Sequence, residues 1–356
     1  MMEPRQTIME GFAGLTVSPR IAVIEAAERA LERVRTPGTP NTEKAYKIAR
    51  NRWYAWCAQL GVKETPIDAA ALVTHLEELS VTHAPQTVRL ALAALSQFDV
   101  AQRVSPTDRT PISIRTSPIV HRWLRSWSRS VRGRRPKKAP ALVRASMLTV
   151  TQSIMQGLEA PRGVSQRAHE RAALRDRALY LVGWLGCMRR SEIAALNIGD
   201  LEETDRGVDI TIQHSKANQL GPPEVVGVYR QQSDALCAVG AWRAWRARLE
   251  YEDFAAGRVL VLAPDAPAFP RVLHNGDFGG RMSGDAVGGI IKRRATDAGL
   301  AALGHSLRRG FASESAHQRK SEADIQKHGR WKSAQTVREY IDRESRYDRN
   351  PTEGIT

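Results

Sequence analysis

Apolar residues recur every three or four positions through most of the chain, and every second position in one short stretch. Between residues 41 and 60, Ala45, Ile48, Ala49, Trp53, Trp56, Cys57 and Leu60 keep the helical spacing, and Gly61 stands where a C-terminal cap belongs. Leu72, Val73, Leu76 and Leu79 mark a second helix, and Pro85 opens a third carrying Val88, Leu92, Leu95 and Phe98. Ile119, Val120, Trp123, Leu124, Trp127 and Val131 mark a fourth. Four helices without a strand predict an all-α domain over residues 41–131. Ahead of it, residues 1–40 read as an extension in which Ile21 to Val34 has helical periodicity, broken by Pro37, Gly38 and Pro40.

Arg132-Gly133-Arg134-Arg135-Pro136-Lys137-Lys138-Ala139-Pro140 halts regular structure and marks a basic connector over 132–140. The pattern then becomes mixed, predicting a second domain over 141–345 and a tail over 346–356. Arg171 to Leu185 reads as a buried helix. Val208 to Gln213 alternates as a half-buried strand, with a return strand at Glu224 to Val228. Ser215 to Pro223 is the polar connection between them. Further helices are expected at Asp234–Leu249, Asp285–Ala298, Leu307–His317, Glu322–Lys327 and Gln335–Arg343. The fold class is therefore mainly α with a small β-sheet.

The chain has 356 residues, 42% hydrophobic and 26% charged, which suits a globular protein that needs no metal or disulfide to hold a core. Lys and Arg number 53 against 38 Asp and Glu, a formal net charge of +15. That excess calls for a polyanionic partner: DNA, RNA or an anionic membrane surface. The absence of an 18-residue apolar run excludes a membrane-spanning helix. Residues 1–10 lack the features of a signal peptide, so a cytoplasmic location is expected. Cys57, Cys187 and Cys237 are scattered, which excludes a disulfide framework or zinc ribbon. Arg103, Arg109, Arg115, Arg122, Arg125 and Arg129 precede the connector with only Asp108 opposing them. This run, continued by Arg132, Arg134, Arg135, Lys137 and Lys138, is expected to contact phosphates.

Three segments carry candidate chemistry. His305 and Arg308, three apart at a helix start, can grip one anion, although such a pair more often decorates a helix surface. Arg189 sits at a turn between helices beside the apolar Met188 and Ile193; a buried arginine needs an anion, and Glu192 is within reach. Tyr340 follows Val337 by three, which puts its hydroxyl at the edge of an apolar face, ordinarily the place of a core tyrosine.

Taken in order, Arg189-x-x-Glu192, Lys216 in the polar hairpin, His305-x-x-Arg308, Trp331 and Tyr340 resemble the catalytic set of the tyrosine recombinases, the phage integrase family. Tyr340 lies nine residues after Trp331 and 32 after Arg308, and Ser215-Lys216-Ala217-Asn218-Gln219-x-Gly221 resembles the lysine turn of that family. Asn41-Thr42-x-x-x-Tyr46 followed by a Trp-rich helix resembles the start of its helical core-binding domain. The resemblance implies an all-helical, SAM-like core-binding domain followed by a mixed α/β catalytic domain. It implies Tyr340 as nucleophile on the scissile phosphate, with Arg189 and Arg308 on the non-bridging oxygens. His305 would assist proton transfer, Lys216 would protonate the leaving 5′-oxygen, and Glu192 would orient Arg189. Trp331 stands where most members have histidine; it can donate one hydrogen bond but carries no proton at neutral pH.

The chemistry is self-consistent. At neutral pH a tyrosine hydroxyl is about 4 kcal/mol short of its phenolate, a deficit that cations around the phosphate reduce. A phosphotyrosyl bond conserves the energy of the broken phosphodiester, so neither ATP nor a metal or other cofactor is expected. The implied partners are double-stranded DNA and other copies of the chain, a dimer on one site and a tetramer in synapsis passing through a Holliday junction. Two other readings share these residues: a catalytically silent DNA-binding protein of the same fold, and a type IB topoisomerase-like enzyme. The DNA target, and the choice among integration, transposition and chromosome dimer resolution, are not encoded in these motifs.

Overall fold

In a computed structural model the described residues are 40–103, 113–132, 139–156, 162–213, 215, 221–255 and 263–341. The expected helix at 21–34, Arg109, the connector residues 133–138, Lys216 and the tail lie outside them. The chain divides into two compact units, residues 1–137 and 138–356.

The first unit holds four α-helices among its described residues: α1 (Pro40–Leu60), α2 (Ala69–Thr82), α3 (Pro85–Arg103) and α4 (Pro118–Ser130). Gly61 takes φ +65 after α1, the left-handed turn that only glycine adopts without cost. Asp68 caps α2 by accepting from the N–H groups of Ala70 and Ala71, and Pro118 fills the first turn of α4. The core is Trp53, Cys57, Leu72, Leu76, Leu92, Leu95, Val120 and Trp127. Trp53 donates to the carbonyl of Glu64, and buried Asp99 accepts from the N–H of Ile67. Two acids of α2 are spent on indole N–H groups: Glu77 accepts from Trp123 and Glu78 from Trp56. The opposite side of α4 leaves Arg122, Arg125 and Arg129 exposed, with Arg115 and Arg132 exposed at either end.

The second unit is mostly helical with two small antiparallel sheets. Its helices are α5 (Arg144–Gln156), α6 (Gln166–Leu185), α7 (Arg190–Ala195), α8 (Ala238–Ala255), α9 (Gly284–Asp297), α10 (Ser306–His317), α11 (Glu322–Gly329) and α12 (Ala334–Tyr340). Strands β1 (Leu201–Glu203), β2 (Gly207–Ile212) and β3 (Glu224–Tyr229) form one sheet with β2 central; Ile210 pairs with Leu201 on one side and Val226 on the other. β4 (Pro270–Val272) and β5 (Phe278–Arg281) form the other.

The hydrophobic and charged interior is organised around α6. Tyr180, Leu181 and Val182 are fully covered, and the buried carboxylate of Asp176 takes Arg175 and, at 2.8 Å, Arg294 of α9. A Cβ on Gly183 would meet Ile193 of α7 at 2.6 Å and Leu307 of α10 at 3.0 Å, so this glycine lets both helices close onto α6. The chain entering the unit is strapped onto α10: Arg309 donates to Ala139 O at 2.9 Å, Leu142 N to Ser306 O at 3.2 Å, and Arg144 N to Glu314 at 2.9 Å. Ala139, counted in the connector on sequence, is thus anchored to the second unit.

Several boundaries differ from expectation. The helix expected from Asp234 begins at Ala238, because Asp234–Leu236 forms a separate 3₁₀ turn. α12 ends at Tyr340, where Ile341 turns to extended backbone, rather than running to Arg343. α5, β1, β4 and β5 have no counterpart in the sequence reading.

Candidate active site

The turn between α6 and α7 builds the first part of the site. Gly186 ends α6, Cys187 takes φ +48, and Met188 is buried, which anchors the turn in the core. Arg189 is the N-cap of α7. Its backbone N–H is accepted by Glu192 at 2.9 Å, the reciprocal half of a capping box, and its guanidinium donates to the other oxygen of the same carboxylate. Glu192 is buried, and its carboxylate also accepts from Arg330 at 2.9 Å. Burial raises its carboxyl pKa, but Arg330 and Arg189 outweigh this and hold it below the ordinary value. Arg189 itself remains half-buried, so part of its guanidinium can meet a ligand.

α10 supplies the second part. His305 is its N-cap residue and is exposed, whereas Arg308 has 0% of its surface exposed. The two differ in surroundings although both approach Tyr340. His305 lies just outside the helix at φ −103, ψ 0, and Arg308 turns inward. The Arg308 guanidinium donates to the carbonyls of Cys187 and Gly329, while its Nε has no hydrogen-bond partner among the described residues. Burial pulls its pKa down.

The C-terminal part closes over Arg308. The Trp331 ring lies 4.1 Å from its guanidinium carbon, and the Tyr340 ring 6.0 Å from it. Trp331 and Tyr340 are 5.2 Å apart, and His305 is 6.4 Å from Tyr340. Val337 and Trp331 fix this segment in a small core with Cys187, Ala312 and Ile325, and Ser313 donates to Tyr340 O at 3.4 Å. Trp331, which the sequence offers as a hydrogen-bond donor, is seen here as an aromatic lid on a cation.

Six of the seven residues singled out on sequence therefore meet in one place: Arg189, Glu192, His305, Arg308, Trp331 and Tyr340. The seventh, Lys216, lies in the β2–β3 connection outside the described residues, as do Arg134, Arg135, Lys137 and Lys138. Of the basic connector group, Arg132 alone is described, and it is exposed.

Two residues of the site escaped the sequence reading. Arg330 ends α11 at φ +56, is almost entirely buried, and donates to Gly186 O, Cys187 O and Glu192. Cys187 lends its carbonyl to both Arg308 and Arg330, and burial pushes its thiol up to about 11. A charged residue beside a glycine gives no sequence signal of burial; its partners Glu192, Gly186 O and Cys187 O, far back in the chain, draw the Arg330 side chain inward. His328 stacks on Phe311 at 4.6 Å and, through Nε2–H, donates to Leu185 O at 2.7 Å.

Residues 151–346 match the phage integrase family. The chain belongs to that family. A relative from Selenomonas ruminantium, an integrase/recombinase XerD homolog, is 27% identical over 319 residues, 89% of this chain and 84% of its own length. Among solved structures, the XerH site-specific recombinase in a post-cleavage complex with palindromic difH substrate superposes with a TM-score of 0.57 at 15% identity, covering 87% of this chain and 77% of XerH. The Tn1549 transposon integrase in complex with transposon right end DNA gives 0.55 at 13%, covering 88% and 93%. A lambda integrase dimer bound to a COC′ core site gives 0.52 at 14%, covering 95% and 84%. These structural likenesses speak to the fold. As a phage integrase family protein, the chain is an enzyme of site-specific DNA recombination.

Proposed function

We propose that this integrase cuts and rejoins duplex DNA through a covalent 3′-phosphotyrosyl intermediate on Tyr340. The observation that carries the reading is the convergence of the Tyr340 ring, Trp331 and His305 around a buried arginine, with a second arginine held by Glu192 in the same hydrogen-bonded cluster. The Tyr340 hydroxyl oxygen attacks phosphorus, the bond to the 5′-oxygen breaks, and that oxygen takes a proton from Lys216. Arg189 and Arg308 neutralise the charge that gathers on the non-bridging oxygens. His305 accepts the phenol proton and returns it when a 5′-hydroxyl reverses the step. Trp331 excludes water from Arg308, which strengthens its field at the phosphate. Neither a metal nor a nucleotide enters these steps.

In this reading residues 41–131 form the core-binding domain and 141–345 the catalytic domain, joined by the connector at 132–140. The exposed arginines of α4 and the basic connector residues Arg132, Arg134, Arg135, Lys137 and Lys138 lie on DNA phosphates. Recombination proceeds in a tetramer assembled from two DNA-bound dimers, through a Holliday junction. The enzyme works in the cytoplasm; among the described residues no helix is long and apolar enough to cross a membrane.

The test begins with a binding site selected from randomised duplexes. Two copies placed on one plasmid, incubated with the protein in EDTA without nucleotide, are expected to yield excised or inverted products joined within the sites. Relaxation of supercoiled plasmid lacking the sites would point to a topoisomerase instead, and binding without strand exchange or adduct to a silent binding protein.

A further inference from the structure

Arg330 occupies a position that ordinarily goes to glycine. At φ +56 its Cβ crowds the backbone, and a helix end in this conformation is most easily made without a side chain. The side chain that stands there is not spent on solvent. It crosses to the α6–α7 turn, where it donates to Gly186 O at 3.2 Å, to Cys187 O at 3.3 Å and to Glu192 at 2.9 Å. The Glu192 carboxylate is the one that also grips the backbone and guanidinium of Arg189. The neighbouring carbonyl of Gly329 and the carbonyl of Cys187 both receive Arg308. Trp331 follows Arg330 directly, and its N–H is pinned to Gln326 O at 3.1 Å. One guanidinium thus ties the segment leading to Tyr340 to the turn that presents Arg189, on a side chain only 5% exposed.

We propose that Arg330 is a positioning residue for strand cleavage, holding the Glu192–Arg189 pair and the Trp331–Tyr340 segment in register through its simultaneous contacts with Glu192 and the Gly186 and Cys187 carbonyls. This rests on the cleavage chemistry proposed above. Arg330 spends its donors on protein acceptors and is given no phosphate contact here; its removal misplaces the groups that do the chemistry and leaves binding alone. With His328 O at 3.4 Å as well, the planar guanidinium serves four acceptors in fixed directions, which an ammonium can do only in part.

The experiment is single-turnover cleavage of a nicked duplex by the full-length chain, with DNA affinity measured in parallel. Arg330→Met is expected to lower the cleavage rate constant about 10²-fold, the scale of a misplacement near 1 Å, with Kd changed by less than about twofold. Arg330→Lys, which keeps a cation beside Glu192, is expected to recover about tenfold of that loss. Because Arg330 acts through Glu192, the pair Glu192→Gln and Arg330→Met is expected to cleave no more slowly than the slower single variant. The proposal is overturned if Arg330→Met cleaves within about threefold of the parent, if affinity and cleavage fall together, if lysine rescues nothing, or if the two losses multiply. Should Arg330→Met fail to fold by circular dichroism, the same cycle run with Arg330→Lys decides between coupling and independence. A parent protein that forms no adduct at all would instead sink the cleavage reading, which separates the two failures.

Discussion

Arg308 is both a structural and a chemical element, and its replacement separates the two. Its guanidinium is fully buried beneath Trp331 and serves the carbonyls of Cys187 and Gly329. Arg308→Ala strands the carbonyl of Gly329, at about 1–3 kcal/mol, leaves that of Cys187 to Arg330 alone, and opens a hollow under the indole; together about 4 kcal/mol is lost. For a unit near 200 residues this lowers the unfolding midpoint by about 10 °C. Arg308→Lys keeps the charge and can reach one carbonyl, so about half of that shift is expected. Cleavage responds differently. A lysine cannot present the phosphate with the same donors, and both variants are expected to lose about 10²–10³-fold in adduct formation at saturating DNA. Differential scanning calorimetry and single-turnover cleavage of a nicked duplex give the two readouts. An Arg308→Ala protein melting within about 2 °C of the parent would show that the buried guanidinium carries no structural load. A lysine variant cleaving within about threefold would show that the guanidinium fork is not used on the phosphate.

Three further predictions are independent of one another. Gly310→Ala is expected to lower stability by about 1–3 kcal/mol or more, read in a urea titration, because its Cβ would overlap the backbone of Leu142 where the entering chain straps α10. His328 is half-buried, its pKa lowered first by desolvation and then by Arg330 and Arg308, against the hydrogen bond to Leu185 O. Its folded pKa lies below the unfolded value of 6.5, so its contribution is complete above that pH and lost as pH falls through the folded value; His328→Gln should flatten that part of the stability–pH curve. Replacing Arg122, Arg125 and Arg129 together by glutamine is expected to reduce the salt slope of log Kobs by about 2–3 units, since each phosphate contact contributes roughly one. An unchanged slope would remove α4 from the DNA surface.

What the sequence made visible follows from where the physical signal is local. α1 was readable because Trp53 and Cys57 repeat on one face and Gly61 ends it; β2 was readable because Val208, Ile210 and Ile212 alternate with polar residues and are buried in the structure. α5 passed unnoticed although Met147, Val150, Thr151 and Ile154 keep helical spacing and are buried, because the stripe is thin and one member is a threonine. β4 and β5 are three and four residues long and contain Pro270, Gly279 and Gly280, so neither alternation nor β-propensity could build up. At the site, the resemblance of their order and spacing to the tyrosine recombinase set singled out Arg189, Glu192, His305, Arg308, Trp331 and Tyr340. It could not show that Arg308 lies inside and His305 outside, because that depends on how α10 is covered by residues 139–144 and by Trp331. Arg330 was invisible for a related reason: its burial is set by a carboxylate on another helix.

The central claim is tested most directly by trapping the protein on a nicked duplex carrying its selected site, digesting the covalent complex and sequencing the nucleotide-bearing peptide by mass spectrometry. The account predicts a 3′-phosphate ester on Tyr340, formed in EDTA and absent from Tyr340→Phe with DNA binding retained. An adduct on any other residue, or one that survives in Tyr340→Phe, would contradict it.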